Sequence, residues 1–143
     1  GVLGKFGRLM LKAAERAGMN NQTVLVASGA GGRALMVAMA VEADLEIIDH
    51  NVAEQPDRYP TGLSRLNLEG EHVLLVDDVL TSGSSLSETA ELVHKAGGTI
   101  IGATVLVDRS DGAATETLHA IGIPKIASLY QFYEGWPATL VET

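Results

Sequence analysis

The run Val73-Leu74-Leu75-Val76-Asp77-Asp78-Val79-Leu80-Thr81-Ser82-Gly83-Ser84-Ser85-Leu86 decides the fold of this chain. Its first residues are apolar almost without interruption, as in a strand buried on both faces. The strand then meets two adjacent acids, a loop of hydroxyls with one glycine, and the start of a helix. Each part has a chemical use. Successive backbone N–H groups in such a turn form an anion-binding concavity, and a helix N-terminus adds favourable partial charge. Gly83 lets the backbone come close to a phosphate, and the hydroxyls of Thr81, Ser82, Ser84 and Ser85 can donate to its oxygens. Asp77 and Asp78 repel a phosphate but accept hydrogen bonds from ribose hydroxyls, and a carboxylate can stabilise positive charge developing on a sugar ring. The segment therefore has a sugar end and a phosphate end. Any one of these features alone would suit an ordinary capped helix beside solvated acids. The whole series, in order at the end of a buried strand, points to a site.

Working outward, Lys5–Ala17 reads as a helix with an apolar side of Leu9, Leu11, Ala13, Ala14 and Ala17, stopped at Gly18. Thr23–Ala27 reads as a buried strand, Ser28–Gly32 as a glycine-rich turn, Arg33–Val41 as a helix and Leu45–Ile48 as a second strand. From Asp49 to Gly70 the pattern fails. His50–Gly62 is polar, holds Pro56 and Pro60, and has the length of a lid; Leu63–Leu68 allows a short strand. His72–Val76 is the third strand and Asp77–Gly83 a loop. A helix follows from Ser84 or Ser85 to about Ala96, with Ser85 and Glu88 at capping-box spacing and Gly97-Gly98 as its stop. Thr99–Val107 is a fourth strand, Asp111–Ala120 a helix with Asp111 as its N-cap, and Lys125–Ser128 a fifth strand. An irregular tail begins at Tyr130.

Strands alternating with helices predict one α/β domain over residues 1–143, Rossmann-like, with a central, mostly parallel sheet flanked by helices. Sites in such sheets lie beyond the carboxyl ends of the strands. That rule selects Ser28–Gly32, the chain from Asp49, Asp77–Ser85 and Asp108-Arg109. The net charge of −8 argues against a non-specific grip on nucleic acid and against a basic membrane-surface helix. It leaves room for a small anion held by backbone N–H groups. With no cysteine there is no disulfide, thiolate metal site or thiol nucleophile. No stretch has the length of a membrane span and no signal peptide is visible, so a cytoplasmic protein is expected.

The quoted segment resembles the phosphoribosyl pyrophosphate motif of type I phosphoribosyltransferases: apolar residues, two acids, two apolar positions, then Thr-Ser-Gly-Ser-Ser. The resemblance runs from about Val24 to Leu129. Within that family it is nearest to the orotate phosphoribosyltransferases, through Val105-Leu106-Val107-Asp108-Arg109 followed by Gly112-Ala113-Ala114, and through Gly122-Ile123-Pro124 with Ser128-Leu129. The resemblance implies the type I phosphoribosyltransferase fold, with its hood reduced or absent because the chain starts near the first core helix. It implies that Thr81, Ser82, Gly83, Ser84 and Ser85 hold the 5-phosphate and that Asp77 and Asp78 are catalytic, facing the reacting sugar. Ser28, Gly29, Ala30, Gly31, Gly32 and Arg33 would hold pyrophosphate, and Arg109 would sit near the acceptor base. The implied reaction transfers phosphoribose from phosphoribosyl pyrophosphate to a nitrogenous base, orotate favoured. Magnesium would arrive on the phosphoribosyl pyrophosphate, with no metal held by the protein alone, and the protein would be a homodimer with small-molecule substrates.

Two other readings stand beside it. The strand before the lid ends Ile47-Ile48-Asp49-His50, where orotate-type relatives carry basic residues; the following stretch offers Arg58 and then Arg65, and no lysine lies between Lys12 and Lys95. That pattern suits a non-catalytic module that binds phosphoribosyl pyrophosphate or a nucleotide. Gly29-Ala30-Gly31-Gly32-Arg33-Ala34, with Asp49 some distance on, also matches the fingerprint of a dinucleotide-binding Rossmann domain. His72, His94 and His119 read as solvated or structural, while His50 lies at a strand's carboxyl end. Asp108 beside Arg109 suits either positioning of that arginine or a structural ion pair. Tyr130, Phe132, Tyr133 and Trp136 suit packing of the tail onto the core, with a dimer contact or a platform for a base as alternatives.

Overall fold

The computed structural model describes residues 1–43, 47–48, 67–132 and 139–141. The expected lid, Asp49, His50, Arg58, Arg65, Tyr133, Trp136 and most of the Leu63–Leu68 segment lie outside the described residues. The elements are α1 (Val2–Arg16), β1 (Val24–Ala27), α2 (Gly29–Ala43), β2 (Ile47–Ile48), β3 (His72–Leu80), α3 (Ser84–Lys95), β4 (Thr99–Asp108), α4 (Ala113–Ala120), β5 (Ile126–Gln131) and β6 (Thr139–Leu140).

The strands form a single sheet in the order β2-β1-β3-β4-β5-β6. All pairings are parallel except β5 with β6, which is antiparallel. The expected mostly parallel α/β sheet is therefore present, with β6 as an addition in what reads from sequence as an irregular tail. Alternation along β3 divides its apolar side chains between two cores. Leu74 and Val76 face α1 and α2, beside Met10, Ala14, Leu35, Met36 and Met39. Val73 and Leu75 face α3 and α4, beside Leu86, Ala90, Val93 and Leu118. Among the described residues no helix is long and apolar enough to cross a membrane.

Several details differ from the sequence expectation; β5, for one, runs on to Gln131, and four others bear on the site. The glycine-rich turn is not a turn, since α2 already begins at Gly29. Glycine is a poor helix former, but its lack of a Cβ is what the packing needs here. A Cβ on Gly32 would lie 2.5 Å from the Val76 carbonyl oxygen and 3.0 Å from Asp77 Cα. Strand β3 does not stop at Val76 but carries both acids within it, because Asp77, Val79 and Leu80 stay in register with Val105, Val107 and Asp108 of β4. The capping box at Ser85 and Glu88 is not formed: the N-cap of α3 is Gly83, at φ 87°, with no side-chain cap. Asp111 is likewise not an N-cap. It takes φ 52°, and Gly112 at φ 79° starts α4 without a side-chain cap.

Gly32→Ala forces a methyl group into backbone that cannot yield like a flexible side chain. It is expected to lower stability by about 1–3 kcal/mol, the usual cost of overpacking, read as a lower urea midpoint at unchanged slope.

Candidate functional site

The order of the sheet reverses between β1 and β3, from which the chain runs outward to β2 on one side and to β4 on the other. Ligands of open α/β sheets bind at the carboxyl ends of the strands at such a point. Ser28 follows β1 and Asp77 lies near the end of β3, so the two glycine-containing segments expected to bind phosphates meet here. The Ser28 N–H donates to the Val76 carbonyl at 2.8 Å, which extends the β1–β3 ladder into the site.

Asp77 is almost wholly buried, at 4% exposure. Its Oδ1 accepts the Asp78 N–H at 2.8 Å, and Asp78 Oδ1 accepts the Val79 N–H at 2.8 Å. Burial pushes the Asp77 carboxyl up from its ordinary 3.8 to about 7. The hydrogen-bonded side chain of Asp78 and its like charge push the same way, while the Asp78 N–H and the Ser85 hydroxyl pull it back. Asp78 is half-buried. Its carboxylate lies so close to the first turn of α2 that a Cβ on Gly31 would overlap it. Gly29, at φ 74°, lies beside the Asp77 carboxyl as well. The glycine segment thus makes room for the two carboxylates and sets the start of a helix against them. This packing also accounts for the glycine spacing that matches a dinucleotide fingerprint.

At the phosphate end, Thr81, Ser82, Ser84 and Ser85 are exposed, and Gly83 beneath them is buried. Ser82 Oγ lies 3.3 Å from the Ser84 N–H and 3.2 Å from Ser84 Oγ. A small hollow of about 40 Å³ runs from Asp77 along Leu80, Thr81, Gly83, Ser84 and Ser85 to Leu86. It joins the sugar end to the phosphate end, and the first-turn N–H groups of α3 have no intrahelical acceptor there. Ser28 behaves differently from its expected role as a diphosphate ligand. It is wholly buried, and its hydroxyl is 2.5 Å from Ser85 Oγ and 3.0 Å from Thr89 Oγ1. Thr89 is a participant that sequence reading missed. The available signal was one hydroxyl residue on the apolar side of α3, a turn beyond Ser85, among Leu86, Ala90 and Val93.

Arg33 is half-buried on α2, one residue past the glycines. Arg109 is exposed beyond β4, with its N–H donating to the Leu80 carbonyl at 2.8 Å, which places it beside the end of β3. Its guanidinium carbon is 5.0 Å from the centre of the Phe132 ring, a cation–π distance. Asp108 does not pair with Arg109. It is buried and accepts the Ser110 N–H at 2.8 Å and the Ser110 hydroxyl at 2.7 Å, which fixes the turn into α4. His72, His94 and His119 are exposed. Among the described residues no group of three or more histidines or acids could hold a metal ion.

The Asp77 carboxyl binds its proton more tightly in the folded chain than in the unfolded one. Its contribution to stability is full below the unfolded value of 3.8 and is lost as pH rises through about 7. The loss amounts to a few kcal/mol on the order of 1.4 kcal/mol per pKa unit. The thermal midpoint of the wild type is therefore expected to fall relative to that of Asp77→Asn between pH 5 and pH 8. Parallel pH profiles for the two proteins would remove the assignment of a buried, proton-binding Asp77.

The model of the phosphoribosyl transferase domain matches residues 4–141. The orotate phosphoribosyltransferase of Pelotomaculum thermopropionicum is 61% identical over 44 residues, covering 31% of this chain and 23% of that protein. The adenine phosphoribosyltransferase of Maricaulis maris is 39% identical over 67 residues, covering 47% of this chain and 37% of that protein. The chain thus matches well under half the length of these relatives. Among solved structures, orotate phosphoribosyltransferase from Aeropyrum pernix superposes with a TM-score of 0.63 at 25% identity, over 86% of this chain and 66% of the other. Adenine phosphoribosyltransferase from Thermoanaerobacter pseudethanolicus gives 0.69 at 20% identity, over 89% and 80%, a likeness of fold. With the family model spanning nearly its whole length, and the two segments expected to bind ligand joined at the sheet's switch point, this chain belongs to the phosphoribosyl transferase domain family.

Proposed function

We propose that this domain transfers phosphoribose from phosphoribosyl pyrophosphate to a ring nitrogen of a base, with orotate favoured over adenine. The observation that supports this most directly is the single hollow running from the buried Asp77 carboxyl to the hydroxyls of Thr81–Ser85. Its lining suits a ribose 5-phosphate in polarity, with acceptors for sugar hydroxyls at one end and donors for a phosphate at the other. In the reaction the bond from carbon 1 to the diphosphate breaks, the base nitrogen bonds to carbon 1 and gives up its proton to solvent, and diphosphate leaves with its electron pair. The transition state carries positive charge on the sugar, which Asp77 and Asp78 would stabilise from fixed positions. Holding donor and base in line supplies the rest. The α2 start at Gly29–Gly32, with Arg33, would receive the diphosphate, and magnesium carried on it would offset its charge. Arg109, held over Phe132, would meet the anionic side of the base, and this cation favours orotate. Both substrates are small molecules, and the setting is the cytoplasm.

A second reading, a module that binds the same donor without turnover, draws on the absence of lysine between Lys12 and Lys95. Calorimetric titration with magnesium and phosphoribosyl pyrophosphate, repeated with orotate or adenine while diphosphate release is followed, separates the two. The transferase reading expects binding, with release when orotate is added. Asp77→Asn with Asp78→Asn is expected to weaken donor binding about tenfold or more, as loss of charge-assisted hydrogen bonds does. Binding without release under both bases supports the module, and no binding would falsify both.

A homodimer is part of the proposal. Helix α2 carries only Arg33 and Glu42 as charged residues, and Ala34, Val37 and Val41 lie exposed along one side, with Val41 at 78%. A helix apolar all round is normally covered. Val37→Glu with Val41→Glu is expected to convert a dimer to a monomer in light scattering, without loss of helical signal. A wild type that is already monomeric rules out this interface.

A further inference from the structure

Two fully buried hydroxyl residues, Ser28 and Thr89, stand where a sheet–helix interface ordinarily holds apolar side chains. Thr89 Oγ1 lies 3.0 Å from Ser28 Oγ and 3.0 Å from the Ser85 carbonyl oxygen, and Ser28 Oγ lies 2.5 Å from Ser85 Oγ. The exposed Ser85 in turn lines the ligand hollow together with Asp77. A row of hydroxyls therefore leads from the interior of α3 to the ligand hollow. We infer that Thr89 and Ser28 are positioning residues that aim the Ser85 hydroxyl hydrogen outward, into the hollow where the 5-phosphate binds. The inference rests on the reading of Thr81–Ser85 as a phosphate site.

The direction follows from counting hydrogens. Each hydroxyl has one to give. The Thr89 hydroxyl is the donor in both of its contacts, so its one hydrogen is shared between the Ser85 carbonyl, which has a second lone pair beside the helical N–H bond, and Ser28 Oγ. Ser28, having accepted, gives its own hydrogen to Ser85 Oγ. Ser85 then has its inner lone pair occupied, and its hydrogen must point away, toward Asp77 in the free protein and toward a phosphate oxygen in the complex. Run backward, the row would turn the Ser85 hydrogen onto Ser28 and present a lone pair to the phosphate, which repels it. Linked hydrogen bonds of this kind also polarise one another. Without the Thr89 hydroxyl, Ser28 has lost the donor beneath it and the backward arrangement becomes accessible.

The test is calorimetric titration of the intact chain with ribose 5-phosphate, with inorganic phosphate as a second probe. Thr89→Val keeps the shape and removes the hydroxyl. It is expected to weaken both ligands by about tenfold, the scale of one hydrogen bond to a charged group. Thr89→Ser restores the donor at the cost of a methyl group, and is expected to bind like the wild type even where its thermal midpoint is lower. Wild-type affinity in Thr89→Val overturns the inference, and so does an equal loss in Thr89→Ser, which would show that volume matters and the hydroxyl does not. Should Thr89→Val not fold, Ser28→Ala breaks the same row at its middle, and unchanged affinity there overturns the inference as well. A wild-type protein that binds neither probe removes the phosphate-site reading and the inference with it. Wild-type binding with an insensitive Thr89 removes the inference alone.

Discussion

The structure depends on a carboxyl group carried into the sheet by its central strand. Strand β3 does not end where its apolar run ends; it continues through Asp77 in register with Val105 of β4. Burial of a carboxylate is costly unless hydrogen bonds replace water. The neighbourhood of Asp77 supplies those bonds from the Asp78 N–H and the Ser85 hydroxyl. The surrounding features then follow as accommodations. Gly31 and Gly32 are glycines because Asp78 and the end of β3 fill the space a side chain would need. Ser28 turns inward to bond across to α3, which ties the start of one helix to the start of another.

Much of this could be read from the sequence, and the limits have specific causes. The alternation of strands and helices and the central position of β3 follow from local patterns, and both persist in the structure. What could not be read depended on partners distant in the chain. Gly29–Gly32 looks like a turn by propensity, yet it forms helix because close approach to β3 outweighs the intrinsic cost of glycine. Asp77 and Asp78 look like loop residues, yet the ladder with β4 holds them extended. Ser85 has capping-box spacing to Glu88, but its hydroxyl is drawn to Ser28, 57 residues away. Thr89 gave only the faint signal of one hydroxyl on an apolar helix side.

The two halves of the site are built on different principles. On the proposed donor side, anion recognition would fall largely to backbone N–H groups and hydroxyls at the starts of α2 and α3. This explains how a chain of net charge −8 can serve anionic ligands. On the proposed acceptor side a cation would do the work: Arg109 is anchored by its N–H to Leu80 and by its guanidinium to Phe132. Because Leu80 belongs to the strand that carries Asp77, the acceptor arginine and the donor carboxyl are referenced to the same piece of backbone. A shift of β3 would move both together and preserve their separation, which a reaction in line requires.

The raised affinity of Asp77 for a proton ties this geometry to its energetic cost. In the free protein, burial and the nearby Asp78 push the group's pKa up to about 7. A ribose lying in the hollow would bring hydroxyl donors to the carboxylate, and donors to the charged form favour it. Sugar binding and Asp77 ionisation therefore reinforce each other, so the charge that is costly in the empty fold would develop most fully beside the sugar it is proposed to stabilise. A carboxylate left in water would carry its charge at no cost, but its hydration would screen it from the sugar. The instability built into β3 and the electrostatic strength proposed for the site have the same origin, the removal of water from Asp77.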